Sequence, residues 1–151
     1  MNVEQFSKRM MELMPRIMKG FTRHENNYVS QGKITLPQFL ALRYLFNEGE
    51  KAMRSVAEAL GVSKPSATGT IDRLIAQGLV ARRHDEKDRR IVWITMTAKG
   101  KKVMNDILKQ RHKTMIKVFG AFSSSQRETY LQLLEQIAKV LNPSSDMPKV
   151  K

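Results

Sequence analysis

The hydrophobic positions of the first fifty residues follow helical spacing. Between about residues 3 and 28, apolar side chains recur at steps of three and four, which predicts a long amphipathic helix. Because proline has no amide hydrogen to donate, Pro15 should kink this helix or break it into two pieces. A second helix should begin after Thr35, which forms a capping-box pattern with Gln38, and should end at residues 47–50.

The middle of the chain predicts two short helices joined by a tight turn. They cover about residues 53–60 and 63–77, and Gly61 can close the first helix in the left-handed conformation. Ser63 can cap the second helix, with Pro65 tolerated in its first turn. The residues expected to face inward and pack the two helices together are Val56, Ala57, Leu60, Val62, Ile71, Leu74 and Ile75.

The spacing of apolar residues then changes from helical to alternating and back again. The elements expected from here onward are strands at residues 79–83 and 91–96 and helices at residues 98–119 and 126–141. The polar loop 84–90 should join the strands as a hairpin, and Thr97 should cap the helix that follows. The polar tail after Asn142 should be frayed.

This order of helix, helix, turn, helix and hairpin is the winged helix-turn-helix arrangement. The expected fold class is therefore mostly α with a small β-hairpin (α+β), in one domain over residues 1–151. The winged lobe should cover residues 35–96, and residues 1–34 and 97–145 should form a helical region. Because the terminal helices carry more apolar surface than one winged lobe can cover, we expect this region to join two copies in a dimer.

Composition adds a strong positive charge to this picture. The net charge is +13 and the isoelectric point is near 10.3, so the expected partner is a polyanion, either nucleic acid or an anionic membrane surface. The chain has no cysteine, which excludes disulfides, thiolate metal sites and a cysteine redox sensor and agrees with a cytoplasmic location. Residues 1–20 are interrupted by charges, so they predict neither a signal peptide nor a membrane span.

The positive charge concentrates around the turn and the hairpin. Residues 60–102 hold ten lysine and arginine residues against four acidic ones, a net charge of +6. A membrane-binding segment would instead carry its charge along one amphipathic helix, so double-stranded DNA is the favoured partner and no membrane is expected. The first turns of the second helix carry small and hydroxylated side chains, which let a helix lie deep in the major groove.

The hairpin loop carries a second candidate contact with DNA. An arginine at a hairpin tip can enter the electronegative minor groove, and Asp88 stands at a spacing from Arg90 that lets a carboxylate hold the guanidinium. Taken alone, the loop is also explained by a solvated charged turn, and the two helices by an ordinary helical hairpin. The residues expected to contact DNA are Arg54, Ser63, Lys64, Pro65, Ser66, Thr68, Gly69, Thr70, Arg73, Arg82, Lys87, Asp88, Arg89 and Arg90.

The chain resembles the MarR family of transcriptional regulators in four segments that have the family's order and spacing. They are LGVS at residues 60–63, LIAQGLV at 74–80, DRR at 88–90 and MTAKG at 96–100. The resemblance extends over residues 6–141, and it departs from the family pattern at Met96, where leucine is commoner.

The resemblance implies a homodimer whose first and last helices interlock and whose two winged lobes read a pseudo-palindromic operator, as a ligand-responsive repressor does. It implies a recognition helix at residues 63–73 and a wing-tip pair of Asp88 with Arg90. It also implies a small amphipathic or phenolic effector bound between the dimer helices and the winged lobe. The candidate effector-binding residues are His24 and three aromatic residues that also suit an ordinary core, Phe21, Tyr28 and Phe46.

An enzyme is the main alternative from another class of function. The sequence has no paired carboxylates with acid–base support, no phosphate-binding glycine loop and no cysteine nucleophile, so we assign neither a catalytic residue nor a cofactor. A metal-responsive regulator stays open, because His24, Glu25 and His112 could converge at the dimer seam. Without cysteine or a close histidine pair, however, we assign no metal ligand.

Overall fold

The computed structural model describes residues 1–25 and 27–142, and the tail expected to fray after Asn142 lies outside them. Its elements, in chain order, are α1 (Val3–His24), α2 (Leu36–Glu48), β1 (Lys51–Ala52), α3 (Met53–Leu60), α4 (Lys64–Ala76), β2 (Val80–His84), β3 (Val92–Met96), α5 (Ala98–Phe119) and α6 (Ser124–Leu141). The fold is mostly α with a small antiparallel sheet, as the sequence predicts. None of these helices is both long and apolar enough to cross a membrane.

The described part of the chain divides into two compact units, one within residues 1–114 and the other within residues 115–142. The first unit contains the helices and strands of the predicted winged lobe together with α1 and most of α5. The second contains the end of α5 and all of α6.

The helices begin where local capping signals predict. At the start of α2, the Thr35 N–H donates to Gln38 Oε1 at 2.8 Å in the reciprocal capping box. The same box, built from Ser123 and Gln126, starts α6 two residues earlier than the apolar spacing indicates. The first turn of α5 is capped by Thr97, whose Oγ1 accepts the Gly100 N–H at 3.0 Å.

The first helix differs from expectation at two points. It runs unbroken for 22 residues through Pro15, so of the two expected outcomes the break does not occur and the kink stays a prediction, because proline removes one backbone donor while the rest of the helix keeps its own. It ends at His24 rather than at Tyr28. Just beyond, Asn27 Oδ1 accepts the N–H groups of Val29 and Ser30 at 2.9 and 3.1 Å, a local turn that competes with the helix.

The sheet has one strand more than the sequence predicts. β1 pairs with β3, with Lys51 opposite Ile94, and the strand order is β1-β3-β2. β2 and β3 form the predicted hairpin, with Val80 opposite Met96 and His84 opposite Val92. Both strands begin one residue later than expected.

The core lies between α2, α3, α4, the sheet and the first half of α5. Its largest fully buried side chains are Ile34, Leu42, Val56, Ile71, Leu74, Leu79, Ile94, Met104 and Ile107. Ala57 is buried as predicted, and Leu60 and Ile75 pack against this core while half-buried. The inward placement of Val62 is wrong, since its side chain is 43% exposed. Gly61 takes the left-handed conformation there and turns Val62 outward after α3.

Candidate nucleic-acid interface

The predicted recognition helix, α4, buries one face and leaves the other open. Ala67, Ile71 and Leu74 point into the core, while the neighbouring Ser66 is exposed. Ser63 caps the helix, because its Oγ accepts the Ser66 N–H at 3.4 Å. The exposed residues of its first turn are therefore held in a fixed helical frame before any partner arrives.

The hydroxyl groups of α4 already form hydrogen bonds near the helix start or within the helix. These bonds determine whether each hydroxyl is still able to donate or to accept a hydrogen bond with a DNA base. Thr68 Oγ1–H donates to Lys64 O at 2.9 Å and Thr70 Oγ1–H donates to Ser66 O at 3.1 Å, which leaves their oxygen lone pairs as acceptors. Ser66 Oγ accepts from Ser63 Oγ–H at 3.0 Å and keeps its own proton to donate. The two kinds of hydroxyl are complementary to different base edges.

Gly69 lies in the interior of α4 with empty space beside it. A Cβ built at this position has no atom within 4 Å, so the packing of the chain does not require glycine there. Glycine inside a helix costs about 1 kcal/mol relative to alanine. A position that is costly for the helix and unnecessary for packing suits the close approach of another molecule to the backbone.

The hairpin loop presents an arginine that is held by a carboxylate. Arg90 Nε–H donates to Asp88 Oδ1 at 3.0 Å, and a terminal guanidinium nitrogen donates to Asp88 Oδ2 at 3.2 Å. The Arg90 side chain is 92% exposed and that of Asp88 is 38% exposed. The hydrogen bond from the Arg90 side chain lowers the pKa of the Asp88 carboxyl below its ordinary value. The pair inferred from spacing is thus formed in the isolated chain.

Several of the predicted DNA-contacting cations already have partners. Arg82 pairs with Asp72 at 2.9 Å, which joins β2 to α4, and Arg54 pairs with Glu58 at 2.9 Å. Such exposed pairs contribute little stability, so a phosphate can replace the carboxylate. The predicted cations that form no ion pair within residues 1–25 and 27–142 are Lys64, Arg73, Lys87 and Arg89.

Sequence reasoning missed the residues at the base of the loop. Asp85 accepts the Trp93 indole N–H at 2.9 Å, and Arg83 donates to both oxygens of Glu50. That hydrogen bonding to Glu50 raises the pKa of Arg83 above its ordinary value. The one signal in the sequence was the position of the chain's single tryptophan on a predicted strand next to this charged loop.

One of the four candidate effector residues lines a cavity. A cavity of about 340 Å³ lies between the loop after α1 and the middle of α5, and Tyr28 is the one candidate that lines it. The other lining residues are Asn27, Gln31, Asp106, Lys109, Gln110 and Lys113. Phe46 packs against the core while half-buried, and His24 is exposed, with its Nδ1 2.9 Å from Gly20 O.

The residues named for a metal site were His24, Glu25 and His112. Within residues 1–25 and 27–142, no group of three or more His, Asp or Glu side chains is placed to hold a metal ion. Glu25 instead accepts from Asn27 Nδ2 at 3.0 Å and lies 3.7 Å from Arg111 Nε.

A capped recognition helix beside an arginine-tipped hairpin defines a winged-helix DNA-binding protein. Residues 34–92 match the model of the MarR family. The chain is 29% identical over 108 residues to the uncharacterised HTH-type transcriptional regulator YfiV of Bacillus subtilis, a match that covers 72% of this chain and 68% of YfiV. The match over residues 34–92 and the match to YfiV make the chain similar to transcriptional regulators of the MarR family.

Two solved structures support the assignment of the fold. A MarR family protein from Bacillus stearothermophilus is 24% identical, with a TM-score of 0.76 over 94% of this chain and 99% of that one. BpsR of Bordetella bronchiseptica, whose DNA binding is regulated by 6-hydroxynicotinic acid, is 25% identical, with a TM-score of 0.63 over 86% of this chain and 98% of that one.

Proposed function

We propose that this protein is a cytoplasmic, ligand-responsive repressor that binds a pseudo-palindromic operator in double-stranded DNA as a homodimer. The observation that carries this proposal is the exposed Arg90 guanidinium, held by Asp88 at the tip of a hairpin whose strand β2 is joined to α4 by the Arg82–Asp72 ion pair. In this proposal α4 lies in the major groove, Arg90 enters the adjacent minor groove, and exposed cations such as Arg73 contact phosphates.

The direct test is selection of bound DNA from a random pool. A dimer with two winged lobes should recover an inverted repeat whose half-sites lie about one helical turn, or a multiple of it, apart. A protein of another function, or one that binds DNA only through its charge, would return no enriched sequence.

Repression requires only that the protein occupies its operator. A dimer seated across a promoter excludes polymerase from the same DNA, whereas activation requires a further surface that contacts the polymerase. Regulation by a small ligand is supported by the 340 Å³ cavity, and by the ligand regulation of DNA binding in BpsR.

The terminal helices are the proposed dimerisation surface. Neither α1 nor α6 has a fully buried residue in the described single chain. Large apolar side chains that are exposed include Phe6, Met14, Ile17 and Met18 on α1 and Tyr130, Leu133, Leu134 and Ile137 on α6. Patches of this kind mark interaction sites, and most soluble oligomers are symmetric homodimers.

We expect the protein to sediment as a dimer at micromolar concentration. The measured mass should be about twice the chain mass of 17.4 kDa, because the exposed faces of α1 and α6 need a partner. Ile17→Asp, which places a charge on the α1 face, should shift the equilibrium toward the monomer, whereas Lys19→Asp, on the same helix, serves as the matched control. A wild-type protein that sedimented only at the chain mass would contradict the proposed assembly.

Asp88→Ala distinguishes orientation of Arg90 from simple charge. Removal of a negative charge near DNA should tighten all binding, whereas loss of the orienting carboxylate should weaken specific binding. We expect weaker operator binding, with binding to unrelated DNA unchanged or slightly stronger, measured by titration of both DNAs at one salt concentration. Folding stability should change by no more than about 0.5 kcal/mol because the site is on the surface.

Arg90→Ala is the companion variant to Asp88→Ala. It should cost most on operators with A·T-rich flanks, where the minor groove is narrow. If Asp88→Ala strengthened operator and unrelated DNA equally, the pair would be only a charged turn.

A further inference from the structure

One carboxylate joins the wing loop to the sheet beneath it. Asp85 Oδ2 accepts the Nε1–H of Trp93, on β3, at 2.9 Å. Asp85 Oδ1 accepts the backbone N–H groups of Lys87 and Asp88 at 2.9 and 3.0 Å. Both oxygens are therefore used, one to fix the strand side chain and one to fold the first turn of the loop.

The ring of Trp93 is fixed from the sheet side as well. The Arg83 guanidinium lies 5.7 Å from the centre of the ring, and Arg83 is held in turn by hydrogen bonds to Glu50, just before β1. The tryptophan is therefore a rigid anchor for the loop, and a fixed anchor removes conformational freedom before a ligand binds.

The contacts continue from this anchor to the tip of the wing. Asp85 fixes the backbone of Asp88, and Asp88 Oδ1 accepts both the backbone N–H and the Nε–H of Arg90 at 3.0 Å. Arg90 is almost fully exposed and is oriented by Asp88, whose backbone is held on one side by Asp85 and on the other by the Ile91 N–H, which donates to Asp88 O at 2.9 Å.

The charge of Asp85 makes its position informative. A carboxylate on a loop that approaches phosphates opposes binding, so its presence there calls for a compensating role. The pKa of Asp85 is lowered from its ordinary value, chiefly by the hydrogen bond from Trp93 and then by those from the Asp88 and Lys87 backbones. The group is thus ionised at neutral pH, which strengthens each bond that it accepts.

We propose that Asp85 and Trp93 are positioning residues for DNA recognition, whose mutual hydrogen bond sets the wing so that Asp88 presents Arg90 to the minor groove. This role rests on the proposed DNA-binding function. Neither residue contacts DNA itself, and each acts through the conformation of the loop.

The matched pair of variants is Asp85→Asn and Glu86→Gln. Each removes one negative charge from the same loop with little change in shape, and Glu86 accepts no hydrogen bond in the described part of the chain. Charge alone would make both variants bind the selected operator more tightly. We expect Asp85→Asn to bind about tenfold more weakly, the effect typical of removing one specific interaction with DNA, and Glu86→Gln to bind as tightly as wild type or slightly more so.

Two further variants test whether the effect runs through Arg90. Trp93→Phe keeps a ring beneath Arg83 and removes only the donor, so it should weaken binding about as much as Asp85→Asn. In an Arg90→Ala background, Asp85→Asn should change affinity by less than about twofold, because residues of one network are not additive. Penalties that added fully would overturn the positioning role, as would a Trp93→Phe protein that bound like wild type.

Trp93 also reports on the wing in the absence of DNA, because it is the only tryptophan in the chain. Asp85→Asn should shift its fluorescence emission and raise its quenching by acrylamide, and Glu86→Gln should leave both unchanged. Unchanged fluorescence in Asp85→Asn would overturn the inference.

If wild type bound no DNA, the proposed function would fail and this role with it. If wild type bound and Asp85→Asn bound equally well, only the positioning role would fail.

Discussion

Operator affinity should fall by about 10³–10⁵ between 50 and 200 mM salt, the decrease expected for a dimer that neutralises on the order of 6–10 phosphates. The chain carries a net charge of +13, and its recognition helix and wing hold exposed cations without an ion-pair partner in the described residues, among them Arg73 and Arg89. Each phosphate contact releases condensed counterions, so the logarithm of affinity falls linearly with the logarithm of salt concentration. Titration at four or more salt concentrations gives the slope directly.

Variants that remove single cations show how much each phosphate contact contributes to the slope of log affinity against log salt concentration. Arg73→Ala should reduce it by about 0.9 for each phosphate that is no longer neutralised, or about two for the two lobes of a dimer, and should weaken operator and unrelated DNA alike. Lys139→Ala, on α6, removes the same charge from a helix that the proposal does not place on DNA. It should leave the slope unchanged. Wild-type affinity that varied by less than about tenfold over this salt range would contradict the proposed interface.

Features of the fold that depend on a few neighbouring residues were predictable from the sequence. The capping box of Thr35 with Gln38 and the left-handed Gly61 each act within one helical turn, and both are present. The Asp88–Arg90 pair is also local, because a single residue separates its two members, and its geometry follows from that spacing. The MarR resemblance then placed these local pieces in one architecture, which the family match and the solved structures confirm.

Features that depend on distant pairing were not predictable. β1 is two residues long, and Lys51 becomes a strand residue only because Ile94 pairs with it across the sheet. The hydrogen bond between Asp85 and Trp93 needs the register of the hairpin, which sets their distance only once β2 and β3 have paired. Pro15 shows the limit of a local signal, since it did not break a long helix.

The junction between the end of α4 and the start of α5 is another feature of this kind. Three successive carbonyls after α4 accept donors from the first turn of α5 or just before it. Lys99 Nζ donates to Gln77 O at 2.8 Å, and Thr97 donates to Gly78 O at 2.7 Å through Oγ1 and to Leu79 O at 3.1 Å through its N–H. The end of α4, the proposed recognition helix, is thereby joined directly to α5.

Gly100→Ala should destabilise the protein by about 3 kcal/mol or more. A Cβ at this buried position would lie 2.0 Å from Leu79 O and 3.0 Å from its carbonyl carbon, so backbone must move. Overpacking of this kind typically costs about 1–3 kcal/mol, and the shift would also weaken the bond from Thr97, at about 1 kcal/mol. With total stabilities of about 5–15 kcal/mol, thermal unfolding at fixed protein concentration should show a midpoint about 10 °C lower.

Gly69→Ala is the matched control, because it makes the same substitution inside a helix where a Cβ meets no atom within 4 Å. It should raise stability by about 0.5–1 kcal/mol through helix propensity. It should nevertheless weaken operator binding, since the added methyl group faces the DNA in the proposed complex. The two variants thus separate two possible reasons for a glycine inside a helix, namely close packing in the fold at Gly100 and, in the proposed complex, close approach of DNA at Gly69. Equal stability changes in the two variants would show that the α4–α5 junction has room that the structure does not indicate.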